Sequence, residues 1–136
     1  MNRKALVQKD HVKYLGVLMD QHLMWKQQIC SVSKKISRGI GILAKLRNFL
    51  DSKLLMNIYY CLVYSHLSYG VQAWGSACDS ETDKLLILQN KAVRILTDNQ
   101  YFQIYGEPAG PLPSADPLFA KLALLKFLDI YRLNIA

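Results

Sequence analysis

The sequence contains few of the residues from which catalytic and metal sites are built. Its three cysteines, Cys30, Cys61 and Cys78, lie far apart, and no CxxC or paired Cys/His spacing accompanies them. A zinc site is therefore not expected, and an odd, scattered set favours free, buried thiols in a reducing compartment. Because no nucleophile–base pair, phosphate-binding glycine loop or Asp–Asp pair occurs, we assign no catalytic and no metal-binding residue.

Acidic residues are scarce in the first 50 positions, which hold ten lysines and arginines against two aspartates. Residues 51–136 hold seven basic residues against eight acidic ones, so the net charge of +7 belongs to the N-terminal part. Regional positive charge favours contact with phosphates or another anionic surface, and the alternative is an ordinary solvated helix face. No sustained apolar run follows the start of the sequence, so a secretory signal is not predicted.

Charged residues are absent from Leu54 to Gly75, a stretch of 22 residues that is long enough to span a bilayer. Its four tyrosines lie through the middle, whereas an aromatic belt would place them at the ends. We therefore expect a buried core helix here and keep a membrane helix as the less favoured alternative. His66 on the apolar face is interpreted as a core histidine rather than a ligand.

The predicted fold class is mainly α, with a short N-terminal β-hairpin followed by a bundle of about four helices. Residues 4–9 and 12–19 are expected to pair, with Lys9–His11 near the turn. Apolar residues at three- and four-residue steps predict one long helix reaching Leu50; they are Trp25, Ile29, Val32, Ile36, Ile40, Leu43, Leu46 and Leu50.

Three further helices are predicted downstream of this one. The second begins at a cap on Asp51 or Ser52, and its wide apolar face holds Leu55, Ile58, Leu62 and His66, with Tyr59 and Val63 beside them. The third opens with a capping-box pattern at Ser80, and the fourth begins at Asp116–Pro117, where proline suits the first helical turn. Between the last two, residues 97–116 hold three of the four prolines and predict an irregular loop.

A basic stripe follows the long helix. Lys34, Arg38, Gly41 and Lys45 recur at i, i+4, i+7 and i+11, so they share one face. Lys35 and Arg47 flank this face, and Lys91 and Arg94 form a smaller cationic face on the third helix. Two interpretations of Gly41 are possible. It allows close helix packing or a local bend, or it lets a phosphate backbone approach the helix. We predict that these eight residues bind nucleic acid.

The order of several short motifs resembles the C-terminal half of reverse transcriptases from non-LTR (LINE-type) retrotransposons of the jockey and related groups. The matching segments are Lys13–Val17, Asp20 with Leu23 and Trp25, Ile29 and the Lys34/Lys35/Arg38 helix, Ile58–Tyr59, Leu62–Val63, His66–Gly70, Ala73–Gly75, Leu88–Ile95, and Pro117–Phe119 with Leu122, Leu125 and Asp129–Tyr131. Together they cover roughly residues 12–133. Ser65 departs from the pattern, since family members often have proline before the His–Leu pair.

The resemblance implies that residues 1–20 are an end-of-palm β-hairpin, with Tyr14, Leu15 and Gly16 in a primer-grip-like position. Residues 21–96 would form a thumb-like helical bundle, 97–116 a linker, and 117–136 a truncated C-terminal helix. The implied partners are an RNA–DNA template–primer duplex and the missing palm and fingers, with no membrane. The implied location is intracellular, either nuclear or cytoplasmic.

We therefore expect a non-catalytic fragment of an RNA-directed DNA polymerase that grips the duplex through its basic helix. The chain itself would need no cofactor, because the family's Mg²⁺-binding aspartates are expected upstream. The alternative from the residues alone is a small helical protein-interaction module without nucleic-acid function.

Overall fold

The computed structural model of the chain describes residues 5–105 and 115–136. It confirms the predicted class, a mainly α protein with a short hairpin near the N-terminus. The described residues contain seven α-helical segments rather than about four. The elements are β1 (His11–Tyr14), β2 (Val17–Asp20), α1 (Lys26–Leu46), α2 (Ser52–Tyr59), a π-helical turn (Tyr60–Tyr64), α3 (Ser65–Ser68), α4 (Val71–Trp74), α5 (Asp79–Tyr105), α6 (Asp116–Leu122) and α7 (Phe127–Ile135).

The hairpin turns at Leu15–Gly16, so the expected turn near Lys9–His11 was wrong. Strands β1 and β2 pair antiparallel, with Tyr14 opposite Val17. The two residues between them have φ of 49° and 82°, which is the left-handed pair that a two-residue hairpin loop needs. A leucine rarely adopts such a φ, and the Tyr69 hydroxyl donates a 2.6 Å hydrogen bond to the Leu15 carbonyl that helps to hold it there.

Helix α1 places the predicted apolar stripe in the core. Its buried residues recur at three- and four-residue steps, as the 3.6-residue period requires. They are Gln28, Ile29, Val32, Ile36, Gly39, Ile40 and Leu43. The helix ends at Leu46, and the predicted extension to Leu50 is instead a hydrogen-bonded turn, in which the amides of Phe49 and Leu50 both donate to the Leu46 carbonyl.

The charge-free stretch of residues 54–75 is divided among α2, the π-helical turn, α3 and α4. Asp51 caps α2 as predicted, since its carboxylate accepts a 2.9 Å hydrogen bond from the Leu54 amide. The buried residues lie four apart, at Leu55, Tyr59, Val63 and Leu67. The first three belong to the wide apolar face that was predicted, whereas Ile58, Leu62 and His66 are only half-buried. An α-helix would rotate a series of residues four apart by roughly 40° per step, and the wider π-helical turn reduces this drift.

None of the helices in the described ranges is both long and apolar enough to cross a bilayer.

Helix α5 is longer than predicted and continues to Tyr105, so the expected loop from Thr97 onward was wrong for its first nine residues. The rest of the expected loop, residues 106–114, lies outside the described part of the chain. α5 begins at Asp79, one residue before the predicted start, and the Thr82 hydroxyl donates to the Asp79 carbonyl.

The C-terminal region forms two helices where one was predicted. Pro117 lies in the first turn of α6 as expected, but the chain leaves the helix at Ala123, which has a φ of 53°. Buried Gln89 on α5 secures the following segment: its amide group donates to the Leu125 carbonyl at 2.7 Å and accepts from the Phe127 amide at 2.9 Å. This long-range contact explains why local periodicity did not reveal the break.

Gln89 also donates to the hydroxyl of Tyr59 at 3.0 Å, so three elements meet at one buried amide. Burial raises the pKa of Tyr59 to about 12, so the phenol stays neutral at physiological pH. Nearby, the ring of Trp74 stacks on Phe127 with centroids 5.4 Å apart. Trp74 is fully buried.

Candidate nucleic-acid interface

The basic stripe lies on the solvent side of α1. Lys34, Arg38, Gly41 and Lys45 are all exposed, whereas the residues that α1 buries lie on the opposite side of the helix. Because α1 is continuous over this range, the stripe extends for about 16 Å from Lys34 to Lys45 at roughly 1.5 Å per residue. That length corresponds to about five base pairs of a B-form duplex at roughly 3.4 Å per pair.

The stripe's positive charge is not neutralised by acids in the described residues. Ion pairs there include those of Lys84 with Glu81, Lys126 with Asp116 and Arg132 with Asp129. None of them involves Lys34, Lys35, Arg38 or Lys45. An unpaired row of cations on a rigid helix is suited to binding the phosphates of a nucleic-acid strand.

The two glycines of α1 have different surroundings. A Cβ on Gly39 would lie 3.0 Å from both the Cβ and the carbonyl oxygen of Leu62, so this glycine lets α1 approach the π-helical turn closely. A Cβ on Gly41 would have no neighbour within 4 Å. Close packing therefore explains Gly39 but not Gly41, whose lack of a side chain leaves an opening in the middle of the stripe.

The residues that flank the stripe are less uniform. Lys35 is exposed and lies close enough to His66 to influence it electrostatically. Burial and this neighbouring positive charge lower the pKa of His66. Arg47 is half-buried at the C-cap of α1, where a cation interacts favourably with the helix dipole.

The second predicted set of cations lies on α5. Lys91 is exposed and Arg94 is half-buried. Lys84, on the same helix, pairs with Glu81 at 2.9 Å, and this hydrogen bond raises the pKa of its ammonium group. Lys84 is thus neutralised in a way that the lysines of the α1 stripe are not.

The predicted primer-grip-like residues form the tip of the hairpin. Tyr14 and Leu15 are 64% and 74% exposed. A Cβ added to Gly16 would lie 3.3 Å from the Tyr69 ring, so Gly16 leaves room for this ring. Beside the tip is an apolar groove of about 360 Å³, lined by Tyr14, Leu15, Val17, Met19, Trp25, Tyr69, Gly70 and Ala73.

The hairpin is tied to the helix that carries the stripe. The side chain of Gln28, buried at the start of α1, accepts a 2.9 Å hydrogen bond from the Leu18 amide of β2. Asp20 accepts a 2.7 Å hydrogen bond from the Met24 amide in the connection to α1. The sequence offered no signal for Gln28, because a glutamine on a polar-looking helix start is ordinarily solvated.

The described residues do not fit a metal ion. No group of three histidines, cysteines or carboxylates is close enough together there to ligate one, and His66 belongs to no such group. The cysteines are exposed, so the expectation of buried thiols was wrong. Bonds from the Ser80 hydroxyl and the Glu81 backbone amide lower the pKa of Cys78.

Sequence reasoning did not identify Phe49, which is 82% exposed in the turn after α1. The available signal was the pair Phe49–Leu50 directly after a helix. Only one of two successive side chains can face the core there, and Leu50 is the one that packs against it.

Comparison with known proteins identifies several polymerases as relatives. The chain is 30% identical over 98 residues to the probable RNA-directed DNA polymerase from transposon X-element of Drosophila melanogaster, a match that covers 70% of the chain. It is 29% identical over 103 residues to the probable RNA-directed DNA polymerase from transposon BS of the same fly. It is 28% identical over 106 residues, or 75% of the chain, to the RNA-directed DNA polymerase from its mobile element jockey.

These matches confirm the resemblance stated above. The chain is homologous to part of the RNA-directed DNA polymerases of jockey-type, non-LTR mobile elements. The aligned region spans only 11% to 12% of the length of these relatives. No protein-family model matches the chain, and no solved structure matches it.

Proposed function

We propose that this chain holds a nucleic-acid duplex, an RNA–DNA template–primer, through the basic stripe of α1. The observation that carries the proposal is the exposed row of Lys34, Arg38 and Lys45, unpaired in the described residues and backed by the core. The relatives' names, which describe RNA-directed DNA polymerases, support nucleic acid as the ligand. Contacts to phosphates would give affinity without sequence preference.

In this proposal the chain positions the duplex and does not transfer nucleotides itself. Two-metal polymerisation needs carboxylates that chelate Mg²⁺, and the sequence contains no Asp–Asp pair. We assign the reaction to catalytic aspartates of a polymerase palm outside these residues. The hairpin tip, with Tyr14, Leu15 and Gly16, would lie near the primer strand because Gln28 fixes the hairpin relative to α1.

Lys35, Arg47, Lys91 and Arg94 would add phosphate contacts around the stripe. Gly41 would let a sugar–phosphate strand approach the helix backbone, since no atom lies within 4 Å of the space that a Cβ would take. A larger residue at position 41 would hold the strand away from Arg38 and Lys45.

The test is a salt titration of binding to a short RNA–DNA hybrid, measured by fluorescence anisotropy. Each phosphate contact contributes about 0.7 to 0.9 to the slope of log affinity against log salt concentration. Replacing Lys34, Arg38 and Lys45 together with alanine removes three contacts and should flatten the slope by about 2 to 3.

The matched control replaces Lys9, Lys53 and Lys121 with alanine, which removes the same charge from exposed positions outside α1. The control should keep the wild-type slope. Equal changes in both triple variants would show that binding follows net charge rather than the stripe, and would overturn the proposal. A stable oligomer with no affinity for the hybrid would favour the protein-interaction alternative instead.

A further inference from the structure

Phe49 is the most conspicuous apolar side chain at the end of the stripe. A phenylalanine that is 82% exposed loses most of the burial that normally stabilises an aromatic ring in a folded protein. None of the aromatic or cation–π contacts in the described part of the chain involves it. Its ring is therefore available to a ligand.

The backbone holds Phe49 in a defined place. Its amide donates a 3.0 Å hydrogen bond to the Leu46 carbonyl, and the next amide, of Leu50, donates to the same oxygen at 3.1 Å. Immediately afterwards Asp51 caps α2. Because the backbone is already ordered, only the two side-chain torsions of Phe49 have to be fixed when its ring binds.

The surroundings of Phe49 are cationic. Lys45 lies in the last turn of α1, and Arg47 follows at its C-cap. From Lys45 to Lys53 three basic residues stand against one acid, Asp51, which caps α2. Charge of this sign beside an exposed aromatic ring favours a polyanion with flat, stackable groups over the apolar surface of another protein.

We propose that Phe49 stacks on an unpaired nucleobase at the end of the duplex held by α1. This inference rests on the proposed function, and it specifies the ligand as a junction between duplex and single strand. Bases inside a duplex cover each other's faces, whereas an unpaired base beyond the duplex end offers a free face to the ring. Lys45 would bind a phosphate next to that base.

The experiment compares two hybrids that differ only in a single-stranded DNA or RNA extension beyond one end. Stacking of a base on an aromatic side chain is worth about fivefold to 150-fold in affinity. The wild-type chain should therefore prefer the extended hybrid by about tenfold, a value within this range. Phe49→Ala should abolish the preference and leave the affinity for the blunt hybrid unchanged.

Three further variants separate stacking from other roles of the side chain. Phe49→Trp should keep the preference, whereas Phe49→Leu, which retains apolar surface without a ring face, should lose most of it. Ile87→Ala removes a comparably exposed apolar side chain from α5 and should have no effect. A fluorescent adenine analogue at the first unpaired position should be quenched by the wild-type chain and by Phe49→Trp only.

The outcomes distinguish this inference from the proposal on which it rests. If the stripe variant flattens the salt slope while Phe49→Ala retains the preference for the extended hybrid, the stacking inference alone is overturned. If the variant that lacks Lys34, Arg38 and Lys45 leaves the salt dependence of binding unchanged, the proposed function itself is overturned. Equal loss of preference in Phe49→Ala and Ile87→Ala would also contradict stacking at Phe49, because it would indicate a general effect of apolar surface.

Discussion

The same substitution at the two glycines of α1 should have opposite effects on stability. Alanine is favoured over glycine in a helix interior by about 1 kcal/mol, partly because glycine has more freedom in the unfolded chain. A Cβ at Gly41 meets nothing within 4 Å, so Gly41→Ala should raise the free energy of unfolding by about 1 kcal/mol. In a chain of this size that raises the melting temperature by about 3 to 5 °C.

Gly39→Ala gains the same helix propensity but adds a Cβ 3.0 Å from the carbonyl oxygen of Leu62. A backbone oxygen cannot move aside as a flexible side chain can, so α1 and the π-helical turn must separate. Overpacking of this kind costs about 1 to 3 kcal/mol. Because helix propensity cancels between the two variants, Gly39→Ala should be about 1 to 3 kcal/mol less stable than Gly41→Ala.

Urea unfolding followed by circular dichroism measures both variants against the wild-type chain. If Gly39→Ala stabilises as much as Gly41→Ala, then α1 does not pack on Leu62 as described. Binding of the RNA–DNA hybrid gives a second readout, because Gly41→Ala should bind more weakly despite its greater stability. Unchanged binding by that variant would contradict the role assigned to the opening in the stripe.

Two further predictions concern buried and titrating groups. Gln89→Leu leaves the Leu125 carbonyl and the Phe127 amide unpaired, which should lower the free energy of unfolding by about 2 to 5 kcal/mol. Tyr59→Phe, which removes only a hydroxyl bonded to Gln89, should cost less in the same urea assay. The pKa of His66 is lowered in the folded chain, so as pH falls the unfolded chain protonates His66 before the folded chain does. Stability should therefore fall as pH drops below about 6.5, and less steeply in a His66→Gln variant, whereas identical pH profiles would refute this.

The basic stripe illustrates what the sequence can predict. Its residues lie within one helix, and their common face follows from the 3.6-residue period alone. The apolar face of α1 is predictable for the same reason, apart from buried Gln28, whose partner is the Leu18 amide of the hairpin. Whether the stripe binds nucleic acid stays a prediction, because the structure describes where these side chains lie and not what they bind.

Errors occurred where contacts distant in sequence decide the local structure. The hairpin turns at Leu15–Gly16, which is stabilised by a bond from Tyr69 that local pattern cannot reveal. The break after α6 depends on Gln89, which lies on another helix. The end of α5 has a simpler explanation: residues 97–105 contain no proline or glycine, and the first such helix breaker is Gly106.

The π-helical turn has a consequence for how related chains should align. Such a turn accommodates one residue more than the flanking α-helical geometry requires. A homologue could therefore have a one-residue deletion within Tyr60–Tyr64 without a rotation of α2 relative to α3. Ser65 follows this turn and is bonded to it twice. Its amide donates to the Tyr60 carbonyl, and its hydroxyl donates to the Cys61 carbonyl. Length variation among homologues in this segment would therefore mark a tightened turn rather than a different fold.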